Sequence, residues 1–306
     1  MRWPEDKSFA FSIFDDTDSQ TLEAGGAVYA LLADLGFRTT KSVWPIRGKG
    51  QPSDHGATCD EPEYRAWVQS LQAQGFEIGF HMTTSHTSRR EETIVGLERF
   101  AEYFGHYPVT MANHYYSDEN LYWGDDRLSG LNRLVYNLLT RYRNHGKFFG
   151  HVPGHPYFWG DICKEKIKYV RNFSFAEINS LKMCPFMPYF DPLRPYVNYW
   201  FASAEGATAP RFIERLSEAN QDRLEAEGGA CIMYTHFGLG FFENGKVNGR
   251  FRQLMERLSK KNGWFVPVAT LLDYLLSANG GHVLTDGERR RLERKWLLHK
   301  IRSGTE

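Results

Sequence analysis

The stretch Ser8-Phe9-Ala10-Phe11-Ser12-Ile13-Phe14-Asp15-Asp16-Thr17-Asp18 decides the fold class. Its first seven residues form a short apolar run, the mark of a buried strand. Carboxylates follow at once. In parallel α/β folds, ligands bind at the carboxyl ends of strands. Adjacent carboxylates repel each other and call for a cation or a proton. Because neighbouring side chains point in different directions, one can face a metal while the other faces a water. The same pair also suits the start of a turn. Asp18 or Ser19 can cap a helix that runs to about Leu35 and stops at Gly36.

Outward from this stretch, apolar runs alternate with amphipathic segments. Further strands are expected at 37–44, 76–80, 109–113, 168–175, 197–202, 230–235 and 264–268. Helices are expected at 61–74, 88–104, 128–143, 210–227, 249–261 and 270–277. Ser88-Arg89-Arg90-Glu91 fits a capping box at the start of the helix at 88–104. Strand–helix alternation implies a parallel sheet with helices outside and right-handed connections. Seven or eight units favour a barrel over an open sheet. Residues 1–280 read as one barrel domain, with a long insertion rich in Tyr, Trp, Phe and Pro at 118–195. Residues 281–306 read as a basic C-terminal helix, packing on the barrel or extending from it. Leu292, Trp296 and Ile301 could line one side of that helix.

The composition, 42% hydrophobic and 24% charged over 306 residues, is that of a globular protein. The net charge is zero, so no global field steers the chain to nucleic acid or to an anionic membrane. Cys59, Cys163, Cys184 and Cys231 stand far apart and form no C-x-x-C pair, which suits a reducing compartment. The N-terminal residues lack a signal peptide's apolar core, and no run of about 18 apolar residues exists. The expectation is a cytoplasmic protein without a membrane span. Aromatic residues make up 15% of the chain, compatible with a cleft that stacks sugar rings.

Two further strand ends carry polar residues suited to chemistry. His81 ends an apolar strand in Gly79-Phe80-His81, and His86 lies just beyond it. Two imidazoles plus one carboxylate, with positions left for water, suit Zn2+ or another first-row divalent ion. His236 ends the run Ile232-Met233-Tyr234-Thr235. Polar residues on separate strand ends are how barrel active sites are assembled. Asn113 and His114 follow another apolar strand, and Tyr116, Trp123 and Trp159 could wall a sugar site, with Asp161 nearby.

Phe14-Asp15-Asp16, Glu77-Ile78-Gly79-Phe80-His81 with His86, and Met233-Tyr234-Thr235-His236 resemble three ordered motifs of the polysaccharide deacetylase family. This is the NodB-homology domain of carbohydrate esterase family four, and the resemblance spans roughly residues 8–275. It implies a distorted (β/α)7 barrel. It also implies that Asp15 is the general base, that Asp16, His81 and His86 bind the metal, and that His236 is the general acid. The implied reaction is metal-dependent removal of an N-acetyl group from an amino sugar or glycan. Four residues separate the two histidines where the family's usual spacing is three. Met111-Ala112-Asn113-His114-Tyr115-Tyr116 stands where an arginine-containing motif is expected, so the arginine that orients the base would come from elsewhere, Arg89 or Arg90. A further motif could be served by Trp159-Gly160-Asp161 or Trp123-Gly124-Asp125. Two other readings keep the barrel. One is a glycoside hydrolase pairing Asp15 with Asp125 or Asp161; the other is a glycan-binding protein without catalysis.

Overall fold

The computed structural model describes residues 2–115 and 117–304. Seven parallel strands close into a ring: β1 (Phe9–Asp15), β2 (Thr40–Val43), β3 (Glu77–Phe80), β4 (Thr110–Met111), β5 (Tyr169–Phe175), β6 (Tyr199–Glu205) and β7 (Ala230–Thr235). β7 pairs with β6 on one side and with β1 on the other, from Ala10↔Ala230 to Asp15↔Thr235. All seven residues of β1 are buried, as a strand covered on both faces requires. The architecture is a (β/α)7 barrel, and its distortion lies at β1. The expected strand at 264–268 is present as Gly263–Phe265 but stays outside the ring. It takes the first half of one β1 edge, opposite Phe9–Phe11, and β2 takes the second half, opposite Phe14 and Asp15.

Helices α1 (Leu22–Asp34), α2 (Pro62–Ala73) and α3 (Arg90–Phe104) follow the first three strands. Their starts differ from expectation. Thr21, not Asp18 or Ser19, caps α1 by accepting from the Ala24 N–H, which leaves Asp18 available for the strand ends. Ser88 does not cap α3. Its hydroxyl lies 3.0 Å from that of Thr84, and Arg89 occupies the N-cap without a side-chain bond. The helix expected at 210–227 is two, Ala209–Arg215 and Glu218–Ala226. The helix expected at 128–143 spans Gly130–Leu139.

The long β4–β5 connection and the C-terminal helix, Asp286–Ser303, cover one flank of the barrel. A capping box between Thr285 and Glu288 starts that helix. Leu292, Trp296 and Leu297 are buried against Gly130–Leu139 and β5, whereas Ile301 is exposed. The seam also holds buried ion pairs: Arg289 with Asp191, and Arg194 with Asp191 and Glu293. No described helix is long and apolar enough to cross a membrane.

Candidate functional site

The C-terminal ends of the ring strands share one face. There β1 delivers Asp15 and, just beyond it, Asp16 and Asp18; β3 delivers His81, β4 His114 and β7 His236, while Arg171 reaches in from the first half of β5. A cavity of about 400 Å³ opens on this face, lined by Asp16, Asp18, His81, His114, Arg171 and His236, with Asn113, Tyr115 and Trp123 at its wall.

Asp18 is the hub. Its carboxylate oxygens lie 2.9 Å from His81 Nε2, 2.8 Å from His114 Nε2 and 3.2 Å from His236 Nε2. Burial alone would raise its pKa. The charge of His81, then the close ring nitrogens of His114, His236 and His81, overcome this and hold it well below the usual carboxylate range. Trp44, fully buried, packs its ring against those of His81 and His114.

The geometry between Asp18 and His81 suits a shared cation better than a hydrogen bond. Asp18 Oδ2 and both ring nitrogens of His81 are buried and make no well-aligned hydrogen bond among the described residues, although Nε2 and Oδ2 are 2.9 Å apart. One oxygen of Asp18 and one ring nitrogen each of His81 and His114 lie within 4.8 Å of one another. This donor set fits a first-row divalent ion.

Asp16 is clamped by Arg171, whose Nη1 and Nη2 donate to its two oxygens at 2.9 and 2.5 Å. A bidentate guanidinium pair fixes both orientation and charge. Arg171 in turn stacks 4.1 Å from the Tyr234 ring centroid. Arg171, not Arg89 or Arg90, is the arginine on Asp16, and Arg90 pairs with Asp161. His236 Nδ1 lies 2.8 Å from the Ala207 carbonyl, which can only accept, so Nδ1 carries a proton and Nε2 faces the carboxylates. With no cation on Asp18, burial lowers the His236 pKa, but the hydrogen bond and charge of Asp18, then the charge of Asp16, push it up to about 9. Gly238 lets this loop close: a Cβ there would fall 2.4 Å from the Ser19 backbone.

Two of the expected base and ligand residues stand elsewhere. Asp15 does not line the cavity. Its fully buried carboxylate accepts from Tyr29 Oη at 3.1 Å and from Phe237 N at 2.8 Å, and faces Lys41 Nζ at 3.2 Å. Strand alternation sends it behind the cleft while Asp16 faces into it. His86 does not join the cluster. The chain turns at Met82 in the left-handed region (φ 63°), and His86 Nε2 ends 3.3 Å from Glu92 and from Gly50 N. A Cβ at Gly50 would lie 2.3 Å from the imidazole, so His86 serves as the floor for the 48–53 loop. His114, expected to contact substrate, stands beside Asp18 and His81 instead.

The other expected substrate residues divide. Trp123 lines the cavity, and Asn113 does so with its amide bonded in both directions to the Leu121 backbone. Trp159 is fully buried and donates to the Glu119 carbonyl, and Asp161 lies on the surface with Arg90. Tyr116 falls outside the described residues. Asp125, held by Arg133, Asn137 and His145, is also outside the cavity, so neither partner of a glycosidase pair reaches it. Asp18 and Arg171 escaped the sequence reading. Asp18 looked like a helix cap. The signal for Arg171, a charge inside the apolar run Tyr169–Phe175, was present but passed over.

No protein-family model matches the chain, and no curated protein matches it. Among solved structures, a protein from Mycobacterium smegmatis named as a polysaccharide deacetylase has a TM-score of 0.52 at 13% identity, over 93% of this chain and 96% of its own. A Pseudomonas aeruginosa PAO1 protein also named as a polysaccharide deacetylase has a TM-score of 0.49 at 12% identity, over 90% and 93%. Puue allantoinase has 0.48 at 12% identity, over 90% and 93%. The likeness to the Mycobacterium protein is one of fold: this chain is a distorted (β/α)7 barrel of the polysaccharide deacetylase type.

Proposed function

We propose that the protein is a metal-dependent amide hydrolase that removes an acetyl group from the nitrogen of an amino sugar or glycan. The convergence of Asp18, His81 and His114 on one point beside the Arg171-clamped Asp16 carries this reading. Those three residues would hold the ion, Zn2+ or another first-row divalent metal. Such an ion supplies a polarised acyl oxygen and a water of lowered pKa.

The remaining work falls to the chain. Asp16, held in place by the Arg171 fork, is the proton acceptor. His236, whose Nε2 faces Asp16 and Asp18, is the group that would protonate the departing amine. Asp15 takes no part in proton transfer. By accepting from Phe237 N it ties the loop of His236 to β1 and so positions the acid. Tyr115 and Trp123 offer aromatic faces to a sugar ring. The fold likeness adds an analogy of reaction type only.

Metal analysis tests the assignment. The purified protein is expected to carry about one divalent ion per chain, lost in Asp18→Ala and His114→Ala and kept in His86→Ala. Acetate release from an N-acetylated oligosaccharide should stop in Asp16→Asn. A protein that binds sugar but takes up no metal would refute the proposal. Loss of the ion in His86→Ala with retention in His114→Ala would overturn the ligand set.

A further inference from the structure

We propose that a phosphoryl group binds beside the cleft, at Lys300, Arg141 and Arg143, so that the substrate is a phosphorylated conjugate of the amidated sugar. This rests on the hydrolase reading above. The catalytic cavity shares Tyr115 and Trp123 with a second cavity of about 120 Å³, walled by Arg127, Trp296 and Lys300. That cavity shares Tyr115, Asn144 and Lys300 with a third of about 390 Å³, where Arg141 and Arg143 stand. The path from the reacting centre is therefore aromatic first and cationic at its far end.

Among the described residues, no Asp or Glu lines the second or the third cavity. In a chain of zero net charge, Arg141 and Arg143 side by side on this wall make a local positive field that attracts anions. The guanidinium groups of Arg141 and Arg143 have no partner among the described residues. A phosphoryl group, with up to two charges and three acceptor oxygens, matches several cations better than a single carboxylate does. Two planar guanidinium forks suit it in particular.

The backbone there is unusual too. Arg141 and Tyr142 are consecutive non-glycine residues with φ of 52° and 56°. Each costs about 1–2 kcal/mol relative to the right-handed form. Such strain concentrates where a side chain must be placed for function.

Two sources supply the phosphoryl chemistry, a soluble sugar phosphate and a lipid headgroup. The second is included because the helix Gly130–Leu139 exposes Leu131, Leu134, Val135, Leu138 and Leu139, the last of which lines the third cavity.

Calorimetric titration decides the matter. N-acetylglucosamine 1-phosphate and N-acetylglucosamine are titrated into the holoprotein and into Arg141→Ala/Arg143→Ala. The phosphate is expected to tighten binding about tenfold or more in the holoprotein, and the gap to close in the double variant. In parallel, both proteins are sedimented with phosphatidylcholine vesicles with and without phosphatidic acid. Arginine-dependent binding to the acidic vesicles alone identifies a lipid headgroup, and arginine-dependent binding of the sugar phosphate alone a soluble one. Equal binding of neutral and phosphorylated ligands with no vesicle binding, or preferences that survive in the double variant, overturns the proposal. If the phosphate preference appears but no acetylated substrate releases acetate, the hydrolase reading falls while the subsite stands. If a neutral sugar is deacetylated without any phosphate preference, the reverse holds.

Discussion

Replacing Asp15 by Asn strands the ammonium of Lys41 inside the barrel. Both side chains have zero exposure, and the 3.2 Å contact is their ion pair. At an effective dielectric constant of about 20, that separation gives roughly 5 kcal/mol of attraction. The attraction offsets the cost of burying two charges rather than adding a surplus. Consistent with this, burial raises the Asp15 pKa despite Lys41, the Phe237 N–H and Tyr29. Removing one partner should therefore cost about 3–5 kcal/mol, while neutralising both should be close to neutral. In a chain of 306 residues, a loss near 4 kcal/mol lowers Tm by roughly 6 °C. The assay is thermal and urea unfolding of Asp15→Asn, Lys41→Met and the double variant, with turnover measured on the folded fraction. Each single variant is expected to lose several degrees and the double to regain most of it. Asn Oδ1 can still accept from Phe237 N, so turnover should fall less than about tenfold, whereas loss of a general base costs about 10²–10⁴-fold. A variant Asp15→Asn of unchanged stability whose turnover has collapsed would refute this reasoning and return the base to Asp15.

The remaining expectations are shorter. Glu119 is fully buried, and burial pushes its pKa up to about 8, above the 4.5 of a free glutamate. The folded state thus holds a proton that the unfolded chain loses. Stability falls as pH rises from about 4.5 to 8, by up to the order of 5 kcal/mol. Glu119→Gln should flatten that slope in urea titrations between pH 5 and 9, and an unchanged slope counts against it. Arg171→Met leaves Asp16 buried without its clamp and should cost about 3 kcal/mol with at least a hundredfold loss of acetate release. Arg171→Lys keeps the charge without the fork and should recover part of both; full activity in Arg171→Met means that Asp16 is not the acceptor. Trp296→Ala, at the seam of the C-terminal helix, should cost about 3–5 kcal/mol by denaturant unfolding. A loss below about 1 kcal/mol would show that the helix does not hold the insertion in place.

Much of the barrel was legible because its signals are local. β1, β3, β5 and β7 are runs of apolar residues between polar breaks, and Ala230–Thr235 stands where its pattern places it. His81 and His236 were readable for the same reason, as polar residues at the ends of such runs. The differences in placement share one cause. Asp18 and Asp16 differ by two residues, and no local rule tells which of them faces the histidines and which an arginine 155 positions away. His86 follows His81 closely in sequence, yet a left-handed turn at Met82 sends it to Glu92. His114 and Arg171 reach the centre from strands whose partners are distant in the chain.

The sequence by itself determined the class of fold and which segments carry polar residues at strand ends, since hydrophobic periodicity and residue type are properties of short segments. Only the tertiary structure decided which side chains meet at the cavity and that Arg171 clamps Asp16. Closure of β1 against β7 and the turn after β3 settle which side chains share a point a few ångströms wide, and that depends on contacts between segments far apart in the chain.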